Sequence, residues 1–317
     1  LQATGGWGAL KVREVYDDAL RLARETGRAA EIYPALWGRW LIAHASGEAA
    51  LARELLAQLS EIALELANPD LLLQLDHAAG STHCTDGEFS RAIDHARACR
   101  ASYDLDSHRH QAMRYGGHDP CVCMTCVGAL AQFIVGRAGQ AGEWSDDAVT
   151  LAGRIEHAPS LAHAQIYRAE LCQIRGKVEP SLALADSVLA IGIEKGLSHY
   201  VAWAKMSRGW ALTRQGAVEQ GVGETEEGLA ALRRTGVRYH LPHRLGMRAQ
   251  AYAAAGRNRK AIDAVDEALA SVGETGERWY EAELLRIKAG LLGEAATADR
   301  GEEKSLLRQA IDVAALK

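Results

Sequence analysis

The chain has 317 residues, of which 48% are hydrophobic and 24% charged, with 6 Pro, 2 Phe and a formal net charge of −5. This acidic balance offers no basic footprint for counterion release, which excludes direct binding to nucleic acid. The longest apolar runs, such as Leu71–Leu75, fall far short of the roughly 20 residues that span a bilayer, and six scattered cysteines make no secreted disulfide framework. The protein is therefore expected in the cytoplasm, with reduced thiols and no membrane contact.

In chain order, Leu1 stands where a Met would, and Trp7, between Gly6 and Gly8, is the first position in phase with the glycines downstream. The chain is thus expected to be a piece of a longer polypeptide, its first unit truncated and Trp7 covering the open end. A lone helix is predicted over about residues 10–26. Helix pairs follow over residues 28–104, set by Gly47 and Gly87, 40 residues apart. Gly136, Gly176, Gly216 and Gly256 repeat that interval over residues 119–291, and a second lone helix is predicted over residues 302–315. A fixed period of this size marks stacked helical units, whose function resides on a long surface.

Seven residues before the turn stand Gly80, Ala129, Ala169, Gly209 and Ala249; five after it stand Ala52, Ala92, Ala141, Ser181, Gly221 and Ala261. Small side chains at these positions let paired helices approach closely; Trp40 breaks the rule in its unit. Gly27, Asn68, Gly196, Gly236 and Gly276 are read as left-handed caps ending the second helices. No alternating β-branched run bounded by hairpin turns predicts a strand, so the fold class is all-α. The interval from Gly87 to Gly136 is 49 residues. The nine extra residues fall in Asp104–His118, DLDSHRHQAMRYGGH, predicted to be a surface loop that closes against the array through Gly116 and Gly117. The chain divides into helical repeats over 1–103, the insertion 104–118, and further repeats of the same solenoid over 119–317.

This spacing resembles the tetratricopeptide repeat, lengthened from its usual ~34 residues, and implies a right-handed solenoid of helix pairs. Four strings go further: YPALWGRW at Tyr33–Trp40, SHRHQAMRYGGHDP at Ser107–Pro120, SRGWAL at Ser207–Leu212 and TGERWYEAELLRIKAGLL at Thr275–Leu292. They are similar to the C-terminal helical region of bacterial multidomain signalling ATPases. That resemblance implies an upstream nucleotide-binding domain in the same polypeptide, often with a class III adenylate or guanylate cyclase or a transcriptional regulator at its N-terminus. It also implies that this chain senses a ligand or binds a partner. No G-x-x-x-x-G-K-[ST] loop is present, and no strands exist to build a cyclase, so neither an enzyme nor a cofactor is expected here.

In tetratricopeptide arrays the first helices line a concave groove. Carried onto this register, the inward positions are Cys123, Cys126, Leu130 and Phe133; His163, Ile166, Glu170 and Gln173; Trp203, Met206, Trp210 and Thr213; and His243, Gly246, Gln250 and Ala253. Trp203 and Trp210, with Met206, flanked by His163, Glu170, His243, Gln250 and Arg208, form the candidate site. Displayed in a groove, they would join an apolar platform to a few polar groups, suited to a peptide or protein partner or a small effector. The same spacing fits two indoles buried between helices, as expected for Trp37 and Trp40.

Cys123 and Cys126 are one helical turn apart with His163 at the next groove position, an alternative zinc or soft-ion set. Cys121 points away from them and no second CxxC completes four ligands, so packing of small apolar cysteines is the expected outcome. Asp119 before Pro120 marks a helix start. Arg168, Arg208, Arg248 and Lys288 recur every 40 residues. Such a row either binds an acidic or phosphorylated ligand or, as expected here, forms ion pairs with acids such as Glu170, Glu226 or Asp266. Asp94 with His95 and His108 with His110 form no catalytic constellation. Rival readings are a cysteine-based metal or thiol sensor and an oligomerisation arm.

Overall fold

A computed structural model describes residues 10–115, 117–293 and 300–315. Trp7, with its expected covering role, and Gly116 lie outside the described residues. The helices are α1 (Leu10–Thr26), α2 (Ala29–Ala45), α3 (Ala49–Leu66), α4 (Pro69–Thr85), α5 (Phe89–Ser102), α6 (Leu105–His108), α7 (Gln111–Arg114), α8 (Pro120–Ile134), α9 (Ala138–Ile155) and α10 (Ala158–Ile174). They continue as α11 (Val178–Lys195), α12 (Ser198–Arg214), α13 (Val218–Arg234), α14 (Leu241–Ala254), α15 (Asn258–Thr275), α16 (Glu281–Gly293) and α17 (Arg300–Ala315). No strand occurs among the described residues.

The period fixes the local geometry. All six turn glycines lie at positive φ, from 68° to 90°, where an L side chain costs about 1–2 kcal/mol. Small residues govern the approach of partners: a Cβ added to Gly209 on α12 would stand 2.6 Å from the Gly221 carbonyl oxygen on α13. Asp119 caps α8 as expected, its carboxylate accepting from the Cys121 and Val122 amides at 2.9 and 3.0 Å.

Two expectations change. Asn68 does not end α3: Ala67 takes the left-handed position at φ 47°, while Asn68 is extended (ψ 125°) and caps α4 through the Asp70 and Leu71 amides. The cause is Pro69, which pushes its preceding residue out of the helical region. The C-terminal helix is not alone either, because Leu306 and Ala310 of α17 pack on Leu285 and Ala289 of α16.

Residues 104–118 are more than a surface loop. Met113 is 85% exposed, but Gln111, Ala112 and Tyr115 are buried, with the Tyr115 ring 5.7 Å from Trp37 and 6.3 Å from Tyr33. Trp37 and Trp40 are core residues as expected, and Trp40 Nε1 donates to Thr82 Oγ1 at 3.1 Å. The array also meets itself. The Ala45 carbonyl at the end of α2 accepts from the Arg238 and Tyr239 amides at 2.7 and 3.1 Å, His44 lies 4.9 Å from the Tyr239 ring, and Thr275 packs where a Gly47 side chain would stand.

Candidate functional site

Because the array closes on itself, its inner positions face one another instead of an open groove. Trp203 and Trp210 are each only 2% exposed; Met206, His163, Glu170 and His243 are also buried, and Gln250 is half-buried. The displayed tryptophan pair is thus corrected to a buried one. Helix α14 and the turn before it reach across to α10 and cover both indoles.

What fills the interior is polar. Trp203 Nε1 donates to Glu170 Oε1 at 2.5 Å and Trp210 Nε1 to Gln250 Oε1 at 2.8 Å. His240 Nδ1 lies 3.1 Å from Glu170 Oε2, and His243 Nε2 lies 2.7 Å from Gln173 Oε1. The Arg244 guanidinium sits 4.1 Å above the Trp203 ring, with Nη2 3.8 Å from Glu170. A second buried carboxylate, Glu277, accepts from the His240 amide at 2.9 Å and from Trp279 Nε1 at 2.5 Å. Burial opposes ionisation of Glu170, yet the neighbouring His240 and His243 imidazoles hold its carboxyl well below the usual glutamate range. Burial lowers His163 well below an ordinary imidazole.

This interior is not fully satisfied. Arg244 Nε and Nη2, His163 Nε2, Gln132 Nε2 and Gln111 Nε2 are buried and make no hydrogen bond among the described residues. Each such group carries a desolvation cost of about 1–3 kcal/mol, which makes them natural anchors for the acceptor groups of a ligand. Two open clefts lie elsewhere. One of about 800 Å3 runs along the closing contact, lined by Glu48, Arg53, Asp86, Glu88 and Glu274. Another of about 440 Å3 is lined by Arg100, Tyr103, Asp104, Cys121, Asp147 and Arg154.

Arg208 does not join the inner wall. It pairs with Asp186 at 2.8 Å and Glu224 at 2.6 Å on the helix edge. Arg168 with Asp146, Arg248 with Glu267 and Lys288 with Asp266 do the same at 2.6, 2.5 and 2.8 Å. The row is structural, as expected, but Glu170 is not one of its acids. Cys123, Cys126 and His163 are likewise not gathered as a ligand set. Among the described residues the potential ligand atoms that come together, all within 4.8 Å of one another, belong to His77, His118 and Cys123. His77 occupies the same register position in the Gly87 unit as Cys126 does in its own, so extending the groove arithmetic one unit toward the N-terminus finds it. Nothing periodic announces His240, Arg244 or Glu277.

No family model matches the chain. It is 26% identical over 248 residues to the uncharacterized protein R02095 of Rhizobium meliloti (strain 1021), a match covering 76% of this chain and 23% of that protein. The chain therefore spans less than a quarter of that relative's length. Among solved structures it resembles the Cut9–Hcn1 assembly of the APC/C (TM-score 0.63, 13% identity, 97% of this chain and 52% of that one). It also resembles NprR in complex with its cognate peptide NprX (0.60, 14%, 96% and 88%) and a Rap protein complexed with competence and sporulation factor (0.58, 11%, 95% and 90%). These likenesses establish the fold as a tetratricopeptide-like helical solenoid. No helix among the described residues is long and apolar enough to cross a membrane.

Proposed function

We propose that this chain is the non-catalytic recognition region of a larger bacterial signalling ATPase, and that it binds a peptide segment or small polar effector along its inner wall. The observation that carries this reading is buried Arg244, which lies against Trp203 and Glu170 with Nε and Nη2 making no hydrogen bond, together with the unbonded buried donors His163 Nε2 and Gln132 Nε2 on the first helices of the preceding units. A purely structural core favours apolar residues over a buried ionic cluster with missing partners. A peptide main chain or a polar metabolite would supply the acceptors that Arg244 and Gln132 lack. The reading draws support from NprR, a protein of the same helical-repeat architecture solved with its cognate peptide. The upstream ATPase rests on the four sequence strings and on the greater length of the Rhizobium relative.

Binding demands two states, since a ligand shifts an equilibrium only by its differential affinity. The closed state has Ala45 holding the Arg238 and Tyr239 amides; the open state frees the inner wall, and the upstream domain reads the change in curvature. A thermal-shift and tryptophan-fluorescence screen of peptides and metabolites tests this. A hit is expected to bind at least tenfold more weakly to Gln250→Ala, a half-buried position, and to Trp210→Phe. Hits indifferent to both substitutions, or none at all, would refute the site.

A further inference from the structure

The insertion at residues 104–118 leads to a second cluster, N-terminal to Glu170 on the same inner wall. His77 comes from α4, His118 from the end of the insertion and Cys123 from the second turn of α8; all three are buried, at 2%, 6% and 5% exposure. Their donor atoms lie within 4.8 Å of one another. Around them are the arrangements that metal sites use to orient ligands. Gln74 Oε1 lies 3.4 Å from His77 Nδ1, and the Gln74 amide in turn donates to Gln111 Oε1 on α7 at 2.8 Å. The Ser81 hydroxyl, one turn along α4 from His77, donates to Met124 Sδ at 3.9 Å beside Cys123 on α8. The insertion thus supplies both His118 and the buried Gln111, two groups the repeat alone would not place here.

We propose that His77, His118 and Cys123 bind one thiophilic d10 metal ion, Cu(I) or Zn(II). Imidazole and thiolate are the ligands such ions select. Three ligands satisfy trigonal Cu(I), and one thiolate with a monovalent ion makes a neutral centre, which burial favours. Zn(II) takes a fourth ligand, which a water molecule supplies in three-ligand sites, while the His163 ring stacks on His118 at 4.1 Å and fixes its orientation. On binding, the Cys123 S–H bond breaks, the sulfur keeps the electron pair and donates it to the metal, and the proton leaves to solvent.

Anaerobic titration of the chain with Zn(II), with Cu(I) and with Co(II) as a spectroscopic probe tests the site. The expected result is one ion per chain, a thiolate-to-cobalt charge-transfer band, and loss of affinity by at least ~100-fold in Cys123→Ser and His118→Gln. The Cys84→Ser/Cys126→Ser double variant keeps all three ligands and should retain the band. Circular dichroism verifies that each variant folds. Failure of the folded wild type to bind any of the three ions overturns the proposal whatever the variants do. So does stoichiometric binding that survives both single substitutions, or loss of the band in the double variant.

Discussion

The outer edge and the inner wall of this solenoid share one 40-residue register and use it in opposite ways. On the edge, Arg168 meets Asp146, Arg208 meets Asp186 and Lys288 meets Asp266, each pair at the 22-residue separation seen for Arg208 and Asp186. The same contact is made again and again. Inside, equivalent positions carry a cysteine, a histidine, a tryptophan and another histidine, and the last three each make a bond that no other unit repeats. Repetition therefore maintains helix spacing, while departures from it carry the chemistry.

The sharpest way to break this contrast is Glu170→Ala, which takes from buried Arg244 the carboxylate it pairs with at 3.8 Å. It should cost about 3–5 kcal/mol in urea denaturation; a loss below ~1 kcal/mol would make the inner wall no more committed than the edge. Acid should act next. Burial lowers the His199 imidazole to about 3, so the folded state stays neutral while the unfolded chain protonates below its ordinary value of 6.5. The unfolded state then binds more protons, and stability falls as pH drops from about 6.5 toward 3, by about 1.4 kcal/mol per unit from this residue. His44, lowered likewise by burial to about 3, adds to the same slope. Thermal unfolding followed across that window checks the slope, and a flat profile contradicts it.

Gly209→Ala probes the helix spacing shared by both regions. The new Cβ would meet the Gly221 carbonyl oxygen at 2.6 Å, and the forced shift should cost about 1–3 kcal/mol. The smallest effect belongs to the edge: Arg168→Ala, at an exposed pair, should change stability by no more than about 0.5 kcal/mol. A larger loss would show that the row does more than hold neighbouring helices in register.

Much of this was legible in the chain. Gly136 to Gly256 announced the turns, Gly209 and Gly221 the close approach, Asp119 and Pro120 a helix start, and the cationic row its own pairing. All are local signals, readable within one unit and its neighbour. The contact of Ala45 with Arg238 and Tyr239 was not legible, because superhelical curvature accumulates over many units and leaves no spacing of its own. For that reason Trp203 and Trp210 looked displayed when they are covered. The inward packing of Gln111 and Tyr115 was hidden by the polar run DSHRH ahead of them, and Asn68 was misread because Pro69 outweighs its tolerance of a left-handed cap.

The grip of Ala45 on two distant amides changes how such an array comes apart. A linear stack is held only by adjacent units and frays from its ends. Here the strip is fastened into a hoop, so melting any unit within it also unclasps units on the opposite side. The units inside the hoop are therefore expected to lose their structure together, ahead of any fraying from their ends.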